Sequence, residues 1–246
     1  MTDWLFDLGN TRLKAAPLLE DGRVGEVVAI AHAGGVLTAG LDAALPAHFR
    51  AAFVSAVTGP GLRLELAKAL AGRCGRISFA SSAARLGRLV VGYPRPERMG
   101  VDRFLALLAA SAEGGGPALV CGVGTALTVD LLDGAGRHRG GRIAPSPDLM
   151  REILHQRAAH LPPQGGHNTG FATDTADALA SGCEGAALGL IEQSLSAAVR
   201  LLGEAPRLLL HGGGAARLQP ALPDACLRPS LVLDGLARWA GGQPAA

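Results

Sequence analysis

The run Asp7-Leu8-Gly9-Asn10-Thr11-Arg12-Leu13-Lys14 has a counterpart later in the chain, Gly122-Val123-Gly124-Thr125-Ala126-Leu127-Thr128-Val129-Asp130. Each follows an apolar run and sets a glycine beside a threonine, or an Asn-Thr pair, at a tight turn. Glycine lets backbone N–H groups approach an anion closely, and the threonine hydroxyl adds a donor. Two such turns, Gly9 to Thr11 and Gly124-Thr125, suit the phosphate tail of a nucleotide, so the chemistry to expect is that of an enzyme using ATP. Asp7, at a strand end, either holds a hydrated Mg²⁺ that bridges phosphate oxygens or only caps its turn. Lys14 either neutralises phosphate as a point charge or faces solvent from a strand. Asp130 alternates with Thr128 along one strand face and reads as a helper to the metal through water or as a buried structural partner.

A second stretch, Tyr93-Pro94-Arg95-Pro96-Glu97-Arg98-Met99-Gly100-Val101-Asp102-Arg103, is suited to an acceptor substrate. The prolines stiffen a loop that delivers Gly100, Val101, Asp102 and Arg103 to a helix start. Asp102 could take the proton of a hydroxyl as it attacks a terminal phosphate. Arg103 could grip a carboxylate with a two-pronged hydrogen bond. The plainer alternative is that both residues cap and solvate the helix N-terminus.

The elements around these residues repeat. Trp4 to Leu8, Leu13 to Leu19 and Val24 to Ile30 have strand spacing. A short helix over 41–45, a strand over 51–57, an amphipathic helix over 62–70 and a strand over 76–80 follow. A helix from Val101 to Glu113 and the linker Gly114-Gly115-Gly116-Pro117 close the first half. The second half has strands at 118–121, 126–132 and 137–143, helices at 147–160 and 175–202, a strand at 207–210 and a last helix near 230–240. The order strand-strand-strand-helix-strand-helix therefore occurs twice, which predicts α/β domains at 1–115 and 116–246. It resembles the tandem ribonuclease-H-like units of the actin/hexokinase/acetate-kinase-like superfamily, whose active site lies in the interdomain cleft; a fold likeness alone does not give the substrate.

Composition sets outer limits. The chain has 246 residues, 48% of them hydrophobic, enough for one large core or two modest ones. With 23 basic and 21 acidic residues and a net charge of +2, there is no electrostatic footprint of a nucleic-acid binder. No basic leader or membrane-length apolar run is seen, so a cytoplasmic, soluble protein with no membrane partner is expected. Cys74, Cys121, Cys183 and Cys226 are widely spaced and read as buried, reduced thiols.

Five ordered motifs together resemble the type III pantothenate kinases: Asp7-x-Gly9-Asn10-Thr11-x-x-Lys14, then Tyr93 with Gly100-x-Asp102-Arg103, then Gly124-Thr125-Ala126-x-Thr128-x-Asp130, then Gly140-Gly141-x-Ile143-x-Pro145, then Asp174-Thr175-x-x-Ala178-Leu179-x-Ser181-Gly182. The turn His211-Gly212-Gly213-Gly214 resembles a late glycine turn of that family. The resemblance implies phosphorylation of pantothenate to 4′-phosphopantothenate, the first step of coenzyme A biosynthesis. It implies ATP at Asp7 to Lys14 and at Thr125, with Mg²⁺ near Asp7. It implies pantothenate at Tyr93 and Gly100 to Arg103, with Asp102 as general base. It also implies a homodimer in which Thr175 reaches the neighbouring subunit's substrate pocket. Two departures stand out. Gly122 replaces an aspartate that takes part in binding an activating K⁺ or NH₄⁺, and Ser146 replaces the glycine that usually follows the proline. Two rivals remain: a kinase for another small hydroxylated metabolite, against which the 93–103 loop argues, and a non-catalytic nucleotide-binding or regulatory protein of the same fold, for which Gly122 argues.

Overall fold

The computed structural model describes residues 1–32, 41 and 44–242; the short helix expected over 41–45 falls partly outside this set. The described residues form two compact units. The first holds Met1–Gly114, the hairpin tip Gly136–His138 and the C-terminal segment from Ser230; the second holds Gly115–Ala135 and Arg139–Pro229.

In the first unit, β1 (Asp3–Leu8), β2 (Arg12–Leu18), β3 (Val28–Ala31), β4 (Ala51–Ala56) and β5 (Arg76–Phe79) form one sheet in the order β3-β2-β1-β4-β5. β2 runs antiparallel to β1, and β4 runs parallel to it. Alternation divides the faces. Phe6, Leu8, Leu13, Ala52 and Val54 pack with Leu66 and Leu70 of α1 (Pro60–Ala71). The third strand is shorter than the expected Val24–Ile30, with Val24 in an isolated bridge to Leu18. Pro17, which has no N–H for the ladder, is the cause, and Gly25 packs against its ring.

The two-residue strands β6 (Arg85–Leu86) and β7 (Leu89–Val90) lead to α2 (Val101–Glu113), which is buried from Arg103 through Ser111. A helix buried all round needs cover on every side. Part of that cover is α6 (Leu231–Gly241), whose Gly235 lies so close to the Leu105 carbonyl that a Cβ there would overlap it. Phe53 of β4 meets Trp239 edge-on, ring centroids 6.3 Å apart. The last helix therefore belongs with the first unit, whereas a split into 1–115 and 116–246 assigns it to the second.

The second unit repeats the sheet. β8 (Ala118–Val123), β9 (Ala126–Leu132), β10 (His138–Pro145), β11 (Arg207–His211) and β12 (Cys226–Leu227) lie in the order β10-β9-β8-β11-β12. Again the second strand is antiparallel to the first and the fourth parallel to it. Leu119, Cys121, Val123, Leu127 and Val129 face a core shared with Ala187 and Ile191 of α4 (Thr175–Leu202). In the chain between β10 and α4 comes α3 (Pro147–Arg157), capped by Ser146, whose Oγ accepts from the Leu149 N–H at 3.2 Å. The serine that departs from the usual glycine thus starts this helix. A short turn of helix, α5 (Ala215–Leu218), follows β11. The cysteines are unbridged; Cys121 and Cys183 are buried as expected, but Cys74 is half-buried and Cys226 exposed, on an edge strand that gives it no cover.

Candidate active site

Asp7 sits one residue from the end of β1, in register with Lys14 on β2 and Ser55 on β4. All three point away from the Phe6–Leu8 core, so one sheet face presents a carboxylate, an amine and a hydroxyl in a row. Burial pushes the Asp7 carboxyl up from 3.8 to about 6. The buried Ser55 hydroxyl, which reaches full hydrogen-bond geometry with no group, pulls the other way; the Asp102 carboxylate raises the value further and Lys14 lowers it. Asp102 therefore lies within electrostatic reach of Asp7, and residues far apart in sequence meet at one spot. Two carboxylates near a glycine turn are the donor set Mg²⁺ takes in the presence of a phosphate ligand, one or two carboxylates with the remainder water and phosphate oxygen. The residues present fit that ion. Among the described residues, no group of three or more His, Cys, Asp and Glu side chains could hold a metal without such a substrate.

The first turn is braced from behind. Gly9 N–H donates to the Arg12 carbonyl at 3.0 Å, while the buried His32 bonds the Gly9 carbonyl through Nε2 at 2.9 Å and the Thr11 carbonyl through its N–H at 3.1 Å. Asn10 and Thr11 are exposed at its tip. The second turn is one residue shorter, with Gly124 N–H donating to the Ala126 carbonyl at 3.0 Å and the Thr125 carbonyl accepting from Ser146 N–H at 3.4 Å. A Cβ on Gly124 would come no nearer than 3.9 Å to its surroundings. The fold does not require glycine there.

Gly100 is different. A Cβ on it would lie 2.7 Å from Asp102 Oδ1, because the Asp102 carboxylate folds back over the start of α2 and accepts the Arg103 N–H at 2.8 Å. Glycine at this position is what lets the carboxylate sit there. Arg103 is buried, donates from Nη1 to the Tyr93 hydroxyl at 3.1 Å and lies 5.8 Å from that ring's centroid. Tyr93 also neighbours the buried His138, ring centroids 5.7 Å apart, brought close by Gly92, whose missing Cβ makes room for the His138 carbonyl. Met99 is held in the loop by Ser82 Oγ, which donates to its carbonyl at 2.8 Å.

The first unit thus brings together Asp7, Lys14, Asp102, Arg103 and Tyr93 among the residues expected from sequence. Gly124, Thr125 and Thr175 belong to the second. Thr175 is the exposed first residue of α4, just after Asp174, which caps the helix by accepting from Ala176 and Asp177 N–H groups. Ser55, His32 and His138 escaped the sequence reading, since none lies in a motif and each acts through strand register or a long-range contact. His211 was seen only as the start of a glycine turn.

Two tandem units of one strand order, each opening on a glycine turn, give the fold that the likeness to the actin/hexokinase/acetate-kinase-like superfamily implies. The fold matches a candidate 2-dehydro-3-deoxygalactonokinase from Sinorhizobium meliloti with a TM-score of 0.62 at 20% identity, covering 98% of this chain and 99% of that one. It matches a candidate Baf family transcriptional activator from Campylobacter jejuni with a TM-score of 0.61 at 18% identity, covering 98% and 100%. Closer likeness is in sequence. The model of the type III pantothenate kinase family matches residues 4–197. The chain is 54% identical over 245 residues to the type III pantothenate kinase of Stenotrophomonas maltophilia strain K279a, covering 100% of both chains. It is 52% identical over 240 residues to that of Xanthomonas axonopodis pv. citri strain 306, covering 98% of both. The chain belongs to the type III pantothenate kinase family.

Proposed function

We propose that the protein transfers the γ-phosphoryl group of ATP to the 4′-hydroxyl of pantothenate, giving 4′-phosphopantothenate and ADP at the first step of coenzyme A biosynthesis. The observation that carries this reading is the Asp102 carboxylate, folded over the start of α2 above Gly100 within electrostatic reach of Asp7. Asp102 accepts the proton of the 4′-hydroxyl as its oxygen bonds to the γ-phosphorus and the bridging oxygen leaves with ADP. Arg103, fixed by Tyr93, binds the pantothenate carboxylate; Tyr93, Gly100 and Val101 shape the pocket. Gly9, Asn10, Thr11 and Lys14, with Gly124 and Thr125, hold the phosphates. Mg²⁺ held at Asp7 would neutralise charge on the β- and γ-phosphates.

The protein acts as a homodimer in the cytoplasm, with Thr175 completing the pantothenate pocket of the neighbouring subunit. An exposed Thr175 preceded by the fully exposed Phe171 supports an interface there. Among the described residues, no helix is long and apolar enough to cross a membrane. Sedimentation equilibrium should return a dimer; a fully active monomer contradicts this part.

The decisive variant is Asp102→Asn, which keeps size and hydrogen-bonding capacity but cannot take a proton. Turnover should fall by about 10²–10⁴-fold, the range for loss of a general base, with Mg-ATP affinity within a factor of about three of wild type. Near-wild-type turnover would remove Asp102 from the role.

A further inference from the structure

His32 stands where the first sheet meets its glycine turn. β3 pairs with β2 through Ala31 and Arg12, and the ladder runs one rung further, with the His32 N–H donating to the Thr11 carbonyl at 3.1 Å. That rung carries the side chain to the turn. His32 is buried, and its Nε2 lies 2.9 Å from the Gly9 carbonyl oxygen. A carbonyl only accepts, so Nε2 carries the hydrogen and donates it. The other ring nitrogen, Nδ1, is buried without a hydrogen-bond partner. A buried polar atom left unpaired is costly, so what histidine adds over an apolar side chain of similar size is the bond to Gly9.

That bond stands in for one the hairpin lacks. The residues flanking a two-residue loop normally exchange two backbone hydrogen bonds. Gly9 N–H donates to the Arg12 carbonyl at 3.0 Å, but among the described residues the Arg12 N–H makes no return bond to Gly9, and Asn10 and Thr11 form an open bend. The Gly9 carbonyl faces the imidazole instead. A trans peptide is planar, with its C=O and N–H on opposite sides, so the Asn10 N–H points away from the buried ring. Asn10 and Thr11 are the exposed residues of the turn, and this N–H is therefore aimed outward from it.

We infer that His32 is a positioning residue for ATP: its bond to the Gly9 carbonyl aims the Asn10 N–H at the phosphates and holds it there before the nucleotide arrives. A donor fixed in advance needs no reorganisation on binding, so losing the brace weakens ATP affinity although His32 itself touches no nucleotide. The inference rests on ATP being held at the first turn, as in the function proposed above.

The test measures Mg-ATP affinity of the full-length protein by calorimetry without pantothenate. His32→Leu, which fills the space but cannot donate, should weaken binding by about tenfold, the loss expected for one hydrogen bond to a charged group, and His32→Gln, whose amide nitrogen can take the place of Nε2, should restore it to within about threefold of wild type. A role in packing alone predicts the reverse order. In steady-state assays the KM for ATP should rise in His32→Leu while the KM for pantothenate stays within about twofold. The chain holds two asparagines, Asn10 and Asn168, so labelling with α-¹⁵N-asparagine gives two backbone amide signals, told apart in Asn168→Ser. The Asn10 signal should move downfield as Mg-ATP saturates the wild type. A cooperatively melting His32→Leu protein with wild-type affinity overturns the inference. So does an Asn10 amide that stays in place while Mg-ATP binds, and that signal decides alone if the variants do not fold. Mg-ATP binding that moves the Asn10 amide, without any pantothenate-dependent ADP, would instead defeat the proposed substrate and leave the role of His32 standing; a wild type that binds no Mg-ATP defeats both.

Discussion

Asp7 is placed under opposing demands. Its folded-state value of about 6 lies above the ordinary 3.8, so the folded protein binds this proton more tightly than the unfolded chain does. Stability from this group is full below about pH 3.8 and is lost as pH rises through about 6, which amounts to on the order of 2–3 kcal/mol at pH 8. Asp7→Asn should therefore raise unfolding free energy by about 2 kcal/mol at pH 8 and by little at pH 4. Under the proposed function, in which Asp7 holds Mg²⁺, the same change should cut Mg-ATP-dependent turnover by about a hundredfold. Denaturant titrations at the two pH values check the first part; an equal gain at both would mean the carboxylate is not held in this state. Gly100→Ala tests a neighbouring point of geometry. Its Cβ, 2.7 Å from Asp102 Oδ1, must push the carboxylate off the helix start. The expected result is a drop in kcat of about tenfold or more with stability changed by less than about 1 kcal/mol.

At the scale of elements, legibility depended on whether the signal was local. α2 and α4 begin and end where expected because the signals lie in the chain itself. Asp174 caps α4 and Gly203, at φ +77°, ends it, while Gly114 to Gly116, all at positive φ, stop α2 from continuing. Asp174→Ala, which removes two acceptor contacts to backbone N–H groups, should cost about 1 kcal/mol in thermal or denaturant unfolding. The two turns and the 93–103 loop were legible for the same local reason. The β3 boundary was not, because Pro17 acts across the ladder, and β6, β7 and β12 are two residues long, too short to carry a period. Ser55, His32, His138 and the packing of His211 over Gly122 were invisible because they depend on which strand lies beside which. Register is a product of the fold, and one sequence shows it only after the sheet order is known.

For the whole molecule, duplication gives two equivalent turns that have diverged in charge, with a carboxylate and an amine at one and a glycine, a hydroxyl and an imidazole at the other. The C-terminal helix adds a dependence that two sequential domains would lack. α6 packs against α2, the helix that carries Asp102 and Arg103, and buries Leu231, Leu233, Leu236 and Trp239. Gly235→Leu, driving a side chain into the Leu105 backbone, should destabilise the first unit by about 3 kcal/mol or more and lower activity through α2 rather than through any contact with substrate. The central claim, an acceptor kinase specific for pantothenate, is tested most directly by ADP formation from Mg-ATP with and without pantothenate, with the phosphorylated product identified by mass. The expected result is ADP that depends on pantothenate, matched by 4′-phosphopantothenate and lost in Asp102→Asn. A folded, dimeric, ATP-binding protein that forms no pantothenate-dependent ADP in Na⁺, K⁺ or NH₄⁺ buffer would contradict it.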